Sequence, residues 1–239
     1  MLPSFSAQLG HCLALPRQKV SPGSPKSPHG ELGSGSVKNE MAIILHGRRV
    51  VLRPLKESDF EPWNVVRVES GRWLTDWEPL PPEGWGDPAG KRLFMSRCVA
   101  REQEARSGSA FSFGVFHLGR FVGEANLSGI QRGPIQTATI GYWIDRNEAG
   151  KGLIPEACAA IFRFAFEDLG LHRIQIAIVP RNHASLRVVE KLGLRQEGLA
   201  LRYIEINGVW EDHRLFAITF EEWKEKRDFY LDNFLLKLP

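Results

Sequence analysis

A glycine-containing turn between a strand-like and a helix-like segment is the first feature of the sequence that suggests chemistry. Gly150 and Gly152 flank Lys151 directly before an apolar segment that begins at Leu153. Backbone N–H groups at such a helix start bind a phosphate or pyrophosphate with help from the helix dipole, and Lys151 would add positive charge there. An ordinary strand-to-helix turn has the same spacing, so the glycines alone leave both interpretations open.

Two common phosphate-binding motifs are excluded at this turn. A Walker loop requires Ser or Thr directly after Gly-Lys, but Gly152 follows Lys151. A dinucleotide-binding fingerprint requires a third glycine at the position that Pro155 occupies. A phosphate bound at this turn would therefore be held by a motif of another kind.

A second polar group, Asn182-His-Ala-Ser185, stands at the start of another helix-like segment. Asn182 is a common type of helix N-cap, and Ser185 would then be an ordinary first-turn residue. A strand-like segment separates this group from the glycine turn, so the two helix starts can also form two walls of one cleft. Both interpretations, a cap and a site, stay open at this point.

The segments that must position these residues predict one α/β domain with a mixed sheet. Their order is a strand, two helices, three strands, a helix, a strand, a helix and a hairpin. Asn207-Gly208 favours a type I′ turn in that hairpin. The predicted helices are 59–70, Lys91–Ser107, Leu153–Leu169 and Ala184–Leu192; the predicted strands are 50–54, Ala110–Phe116, Arg120–Leu127, Thr137–Ile144, Arg173–Val179, Leu199–Ile206 and Val209–Thr219.

The ends of the chain differ from its centre. Ser, Gly and Pro supply 17 of residues 1–40, and such a segment buries too little apolar surface to offset its ordering entropy. We therefore predict a flexible extension over 1–40, a domain over 41–225 and a C-terminal tail over 226–239.

Charge, hydropathy and cysteine content exclude several classes of protein. After residue 40 the chain carries 27 basic and 26 acidic side chains, so it lacks the concentrated basic surface of a nucleic-acid binder. No apolar run approaches the roughly 18 residues of a membrane span. Cys12, Cys98 and Cys158 are far apart, which favours a reduced, cytoplasmic protein without disulfides, and no metal ligands are assigned.

Five short segments, in the right order, make the chain from about Leu45 to Trp223 resemble the GNAT superfamily of acyl-CoA-dependent N-acetyltransferases. The resemblance is greatest to the RimJ/RimL branch, which acetylates the α-amino ends of ribosomal proteins. It implies a single domain with a central, mostly antiparallel twisted sheet flanked by helices, and acetyl-CoA as the acyl donor. The segments are Ile140-Gly-Tyr-Trp-Ile, Gly150-Lys-Gly-Leu-Ile, Leu171-His-Arg-Ile174, Asn182-x-x-Ser185 and Arg202-Tyr-Ile-Glu-Ile-Asn-Gly-Val-Trp-Glu-Asp-His213.

The resemblance also implies the residues that hold the cofactor. Backbone groups of one strand would meet the pantetheine arm and the acetyl carbonyl, the glycine turn would wrap the pyrophosphate, and the second helix start would face the pantetheine and the sulfur. The residues implied, in that order, are Tyr142, Trp143 and Ile144; Asn147, Gly150, Lys151, Gly152, Leu153 and Ile154; and Asn182 and Ser185.

Two positions depart from the superfamily pattern. Asn147 stands where Gln or Arg is frequent, and Arg146 lies one residue earlier. Val189 stands where many members carry the tyrosine that protonates the departing thiolate. Ser185 is the nearest substitute for that general acid, which leaves the acid less well defined than the cofactor site.

The implied mechanism is a direct attack of a neutral amine on acetyl-CoA, with no covalent enzyme intermediate. Carboxylates and one histidine are the candidates for the general base and for substrate binding. Glu124 is the first candidate base because it interrupts an apolar strand, although a solvent-facing position would explain it equally well. Glu205, Asp212 and His213 are rivals that also suit substrate binding, or a cross-strand salt bridge. Further residues predicted to line the acceptor groove are Trp73, Trp77, Glu78 and Tyr203.

The amine acceptor stays open at this level. The resemblance favours the N-terminal α-amine of a ribosomal protein. An aminoglycoside or polyamine is the alternative acceptor, and a non-catalytic acyl-CoA-binding regulator is the alternative class, kept because the tyrosine is absent. A monomer and a homodimer are both compatible with the sequence, and neither a membrane nor a direct nucleic-acid partner is expected.

Overall fold

An eight-stranded sheet forms the centre of the computed structural model, which describes residues 43–81 and 87–236. The predicted extension over 1–40 lies outside the described residues, as do Cys12 and Trp85. The strands are β1 (Leu45–His46), β2 (Val50–Arg53), β3 (Phe111–His117), β4 (Arg120–Gln131), β5 (Thr137–Ile144), β6 (Arg173–Ile178), β7 (Arg195–Ile206) and β8 (Val209–Thr219).

The sheet is antiparallel except at one pair of neighbouring strands. Its order is β1-β2-β3-β4-β5-β6-β8-β7, and only β5 and β6 run parallel. Parallel neighbours need a long crossover connection, which here contains the glycine turn and the helix after it. The predicted mixed, mostly antiparallel sheet is confirmed.

Helices cover both faces of this sheet. The first, third and fourth begin at the residues predicted to within one position, and Lys91–Ser107 matches at both ends. Gly170 ends the fourth helical segment with a φ of 64°, a left-handed value that glycine adopts readily. The helices are α1 (Phe60–Ser70), α2 (Arg72–Thr75), α3 (Lys91–Ser107), α4 (Leu153–Arg163, continued by a π-helical turn, Phe164–Asp168), α5 (His183–Lys191) and α6 (Phe220–Asn233).

Helix α4 lies at the centre of the main hydrophobic core. Every residue from Leu153 to Phe162 is buried, including Cys158, whose burial raises the pKa of its thiol. Cys158 is therefore a core residue, as its place on the apolar face predicts. A smaller cluster under α1 and α3, centred on Trp63 and Phe94, closes the other face of the sheet. The packing holds the start of α4, and with it the glycine turn, in a fixed place.

The C-terminal boundary predicted at residue 225 is wrong. Helix α6 begins with a capping box between Thr219 and Glu222 and continues to Asn233. Tyr230 within it is 0% exposed, and Leu235 beyond it is also buried. Residues 226–235 therefore complete the main core instead of forming a tail, because their aromatic side chains provide apolar surface that the sheet face needs covered.

The β7–β8 hairpin has the turn that the sequence predicts. Asn207 and Gly208 have φ values of 49° and 80°, which places both central residues of the β7–β8 turn in the left-handed region of a type I′ turn. In the described residues, no helix combines the length and the apolarity needed to cross a membrane.

Candidate active site

The cleft opens where β5 and β6 separate. The two strands pair only at Thr137, Ala138 and Thr139 of β5, although β5 continues to Ile144. The edge of Tyr142–Ile144 that faces away from β4 therefore has no strand partner, as the resemblance implies. A cleft of about 1030 Å³ lies beside it, lined by these residues and by the starts of α4 and α5.

The glycine turn forms one wall of the cleft. Gly150 and Gly152 have φ values of 80° and 84°, a conformation that other residues adopt only with strain. No side chain caps the start of α4, so the first backbone N–H groups of that helix have no partner within it. An uncapped helix start behind two left-handed glycines fits the diphosphate of a CoA molecule.

Salt bridges between charged residues hold this turn in place. Arg49 donates to Glu156, which is buried in the first turn of α4, and to the carbonyl oxygen of Lys151 at 3.0 Å. Glu148 accepts from Arg120 and from Lys151, each at 2.9 Å. Salt bridges with both cations lower the pKa of Glu148, and the hydrogen bond from Lys151 is the largest cause. The Lys151 ammonium is thus engaged by Glu148, and Lys151 is outside the cleft lining, as is the exposed Asn147.

The start of α5 forms the opposite wall. The side-chain oxygen of Asn182 accepts the backbone N–H of Ser185 at 3.0 Å, so Asn182 is an N-cap and also lines the cleft. The hydroxyl oxygens of Ser185 and Tyr142 are 2.7 Å apart. Val189 is buried in the core, 0% exposed, and contributes nothing to the cleft.

Helix α2 and the residues after it close the acceptor side. The indole N–H of Trp73 donates to the carbonyl oxygen of Ile144 at 3.1 Å, and the Arg181 guanidinium lies 4.6 Å from the Trp77 ring centroid. Arg67 donates two hydrogen bonds to Glu78, the longer at 2.7 Å. Trp73, Trp77 and Glu78 line the cleft. Because Glu78 is paired with Arg67, it is not a free carboxylate.

Glu124 is buried away from the cleft. It is 1% exposed; one carboxylate oxygen accepts from the Trp63 indole at 2.7 Å, and the other lies 2.6 Å from an Arg101 guanidinium nitrogen. Burial alone would raise the pKa of Glu124, but the charges of Arg101 and Arg97 outweigh it and hold the pKa below its ordinary value. The solvent-facing position is contradicted, and the geometry does not place this carboxylate against a substrate.

The hairpin candidates lie outside the cleft lining. His213 is buried, and its Nδ1 lies 3.0 Å from the carbonyl oxygen of Glu211; burial lowers its pKa. Asp212 accepts the backbone N–H of Arg202 at 2.8 Å, which holds an irregular part of β7. Tyr203 contacts the His213 ring, and Glu205 lies opposite Trp210 in the register. The structure brings these four candidates together with one another, not with Ser185.

Several cleft residues were not found from the sequence. Asn126 lies on β4, two residues after Glu124, and a basic rim surrounds the cleft mouth. Two members of the rim, Arg187 and Lys191, lie three and seven positions after Ala184 and therefore share its face of α5. That spacing was a usable signal once Ser185 had been assigned to a site. The rim consists of Arg72, Arg146, Arg181, Arg187 and Lys191.

Comparison with known proteins identifies the family. Residues 49–195 match the family described as Acetyltransferase (GNAT) domain. The chain is 34% identical over 177 residues to the probable N-acetyltransferase YjcK of Bacillus subtilis, covering 73% of this chain and 96% of that protein. It is 33% identical over 197 residues to the ribosomal protein uS5-alanine N-acetyltransferase of Escherichia coli, covering 81% and 99%. The solved structure of Mycobacterium smegmatis RimJ in complex with CoA-disulfide superposes with a TM-score of 0.73 at 32% identity, covering 80% and 92%.

The fold, the cleft and these matches together define the class: the chain belongs to the GNAT acetyltransferase family. Within that family it is an acetyl-CoA-dependent N-acetyltransferase of the RimJ/RimL type. The expectation of an enzyme is therefore confirmed, and the non-catalytic alternative is not supported. The uncapped start of α4 and the basic rim fit the phosphate groups of acetyl-CoA.

Proposed function

We propose that this enzyme acetylates the N-terminal α-amine of a protein, with a ribosomal protein as the acceptor. The observation that carries the proposal is the match, over nearly the full length of the relative, to an enzyme named for acetylating the alanine of ribosomal protein uS5. A match of this extent includes the acceptor side of the cleft as well as the CoA-binding turn, because it covers 81% of this chain.

The charges of the cleft favour this acceptor over a polyamine or an aminoglycoside. Such ligands carry several positive charges and need unpaired carboxylates in the site. The acidic side chains of the lining are Asp76, Glu78 and Glu148, and the last two are engaged by Arg67, Arg120 and Lys151. Within the basic rim, Arg72 pairs with Asp76 and Arg181 pairs with Glu211. The other rim cations, Arg146, Arg187 and Lys191, would repel a polycation.

An exposed apolar surface beside the cleft favours a protein over a small molecule. The β7–β8 hairpin contacts the cleft wall, because the Asn207 backbone N–H donates to the carbonyl oxygen of Glu78 at 2.9 Å. We call the exposed apolar residues there the apolar strip; Trp210 and Leu201 are 60% and 71% exposed. Large exposed apolar side chains on one hairpin offer surface that can be buried against another protein. The apolar strip consists of Leu80, Leu199, Leu201, Val209 and Trp210.

The mechanism that follows uses few catalytic groups. Acetyl-CoA, when bound, supplies an acetyl group activated as a thioester. The unpaired edge of Tyr142–Ile144 would hold the carbonyl and the pantetheine arm, the start of α4 would bind the diphosphate, and the Ser185 hydroxyl would face the sulfur. A free α-amine has a pKa of about 7.7–8.0, against about 10.4 for lysine. A sufficient fraction of an N-terminal amine is therefore neutral near pH 7.5, which removes the need for a dedicated general base such as Glu124.

A competition between amines tests the acceptor. A peptide with the N-terminal sequence of ribosomal protein uS5 is offered beside its N-formylated form with the same lysines, spermidine and kanamycin, and thiol release from acetyl-CoA is followed. We expect at least about tenfold higher kcat/KM for the free α-amine, because the lysine amines are mostly protonated at pH 7.5. Intact mass and fragmentation locate the acetyl group. Faster turnover of spermidine or kanamycin would refute the acceptor, and no thiol release with any amine would refute the proposed activity.

A further inference from the structure

We propose that Tyr142 is a positioning residue that fixes the hydroxyl of Ser185 toward the cleft. It would do so in place of a tyrosine at position 189 of α5, where the core contains a valine. The inference deepens the proposed function, because it rests on the role of Ser185 beside the reacting sulfur. It concerns residues of two different elements, β5 and α5, that the cleft brings together.

Ser185 is held from two sides. Asn182 accepts its backbone N–H at 3.0 Å, which fixes the main chain of the first turn of α5. From the facing strand, the Tyr142 hydroxyl oxygen lies 2.7 Å from the Ser185 hydroxyl oxygen and 3.3 Å from the Ser185 carbonyl oxygen. The two contacts fix the side chain and main chain of one residue, although Tyr142 is 43 positions earlier in the sequence.

Either hydroxyl could donate in the 2.7 Å contact, and in the proposed arrangement Tyr142 is the donor. The Tyr142 hydroxyl has one proton and two acceptors, the carbonyl and the hydroxyl of Ser185. The contact to the serine hydroxyl has the ordinary length of an O–H···O bond, about 2.7–2.8 Å, whereas the contact to the carbonyl is long. The arrangement with the shorter bond has Tyr142 donating to Ser185. The proton of Ser185 is then free to point into the cleft.

Burial keeps Tyr142 in the donating form. Desolvation raises the pKa of its hydroxyl well above the ordinary value, and the hydrogen bond with Ser185 offsets only part of that effect. The phenol is therefore protonated at every pH at which the protein works. A hydrogen bond that it donates also makes the serine hydroxyl a better donor, because bonded hydroxyls polarise one another.

The proton balance assigns the two hydroxyls different tasks. In the overall transfer a thioester C–S bond breaks, an amide C–N bond forms, the amine loses one proton and the sulfur gains one. The Ser185 hydroxyl directs its proton to the sulfur and regains one from the solvent, which has received the amine's proton. The Tyr142 proton stays on the phenol throughout. Tyr142 therefore acts only through Ser185 and touches no reacting atom.

A double-mutant cycle tests this dependence. In single-turnover measurements we expect Ser185→Ala to slow acetyl transfer about 100-fold and Tyr142→Phe about tenfold. Because Tyr142 acts through Ser185, the double variant should be no slower than Ser185→Ala alone. Independent effects would instead multiply to about 1000-fold, and that result would overturn the proposal. A Tyr142→Phe enzyme as fast as the unmodified protein would overturn it as well.

Tyr230→Phe is the matched control. It removes the hydroxyl of another buried tyrosine that is bonded to α5. The Tyr230 hydroxyl donates to the carbonyl of Leu192, the C-cap of that helix, at 2.7 Å. If the substitutions only loosened α5, both tyrosine variants would show the same coupling with Ser185→Ala in the double-mutant cycle. We expect the Tyr230→Phe effect, whatever its size, to multiply with that of Ser185→Ala. Equal coupling for both tyrosines would count against a specific role of Tyr142.

A second readout needs no acetyl-CoA turnover. The chain contains three tyrosines, Tyr142, Tyr203 and Tyr230, so tyrosine labelled with ¹³C at the ring carbon that bears the oxygen gives three signals. Tyr142→Phe assigns one of them, and Ser185→Ala should shift that signal and change its titration at high pH, leaving Tyr230 unchanged. Calorimetry should give CoA affinities within about twofold for both variants, because the backbone of the site is intact. An unshifted Tyr142 signal would refute the hydrogen bond even if acetylation of α-amines is confirmed.

Discussion

At the scale of single residues, Glu124 shows how burial changes the meaning of a carboxylate in a strand. The sequence marks it as an exception in an apolar run, and both initial interpretations, a base and a surface residue, assumed contact with solvent. The structure surrounds it with Trp63, Arg97 and Arg101. Arg97 lacks a full set of partners, and its own burial lowers its pKa to about 10, although the charge of Glu124 opposes the change. Glu124 therefore neutralises a buried cationic cluster.

Removing that charge should cost stability more than activity. We expect Glu124→Gln to lower the free energy of unfolding by about 3 kcal/mol, because one partner of a buried ion pair is left uncompensated. Urea unfolding measures the loss, and kcat at 20 °C should stay within about threefold. Glu102→Gln, in an exposed pair with Arg106, should change stability by less than about 0.5 kcal/mol. A stable Glu124→Gln protein without activity would restore Glu124 as a base.

The same carboxylate gives a pH dependence with a defined sign. The pKa of Glu124 is lower in the folded protein than in the unfolded chain, where it is about 4.3. The contribution of Glu124 to the free energy of unfolding is therefore complete above about pH 4.3. It is lost as the pH falls through the lowered pKa of the folded protein. The difference in unfolding free energy between the unmodified protein and Glu124→Gln should be constant from pH 7 to 5 and shrink below pH 4. A difference that grows on acidification would contradict the assignment.

At the scale of elements, the glycine turn depends on a residue that is far from it in sequence. Arg49 lies in the β1–β2 turn and donates to the Lys151 carbonyl oxygen. The carbonyl and the following N–H of a trans peptide point in opposite directions. Holding the carbonyl outside the cleft therefore directs the Gly152 N–H toward it, and Glu156 in turn holds Arg49.

Arg49→Lys should weaken recognition of the diphosphate. A lysine cannot reach Glu156 and the Lys151 carbonyl together with the same geometry. We expect KM for acetyl-CoA to rise about tenfold with kcat changed less than about threefold. With S-acetylpantetheine, which lacks the diphosphate, the variant and the unmodified enzyme should behave alike. Arg48→Lys is the neighbouring control, since the Arg48 side chain donates to the exposed Asp232 carbonyl at 3.4 Å. If Arg49→Lys raises KM equally for acetyl-CoA and S-acetylpantetheine, the orienting role is refuted.

The elements themselves followed from the sequence where local signals agree. Apolar patterns predicted α3 and α4, Gly170 predicted the end of the α4 segment, and Asn207-Gly208 predicted its turn, because short-range sterics decide these features. The residues that hold the cleft together did not follow. The contacts of Tyr142 with Ser185 and of Arg49 with Lys151 join strands and helices across the sheet, and pairing over such distances leaves no pattern in a single chain.

At the scale of the whole molecule, the last helix was the main error of the sequence interpretation. We predicted a tail over 226–239, but Tyr230 and Leu235 are buried in the main core. A chain ending at residue 225 should therefore be unfolded or lose more than about 4 kcal/mol, since removal of one buried aromatic costs about 3–5 kcal/mol. A chain ending at residue 236 should match the full protein in thermal unfolding. Equal stability of the two truncated chains would contradict the packing.

The shape of the whole molecule also predicts how it distinguishes a protein acceptor from a short peptide. Under the proposed function, a peptide of a few residues would occupy only the cleft, whereas a folded acceptor would also contact the apolar strip. We expect Leu201→Ser combined with Trp210→Ser to raise KM for intact ribosomal protein uS5 about tenfold, because two large exposed side chains no longer leave water on binding. KM for the N-terminal peptide should change less than about twofold.

Val99→Ser on α3 is the control for this prediction, since Val99 is equally exposed at 55% and lies outside both the cleft lining and the apolar strip. It should leave both acceptors unaffected. If the double variant impairs peptide and protein alike, the hairpin supports the cleft instead of docking the acceptor. If neither acceptor is affected, the cleft alone recognises the N-terminus. Only a selective loss with the intact protein makes the strip part of acceptor recognition.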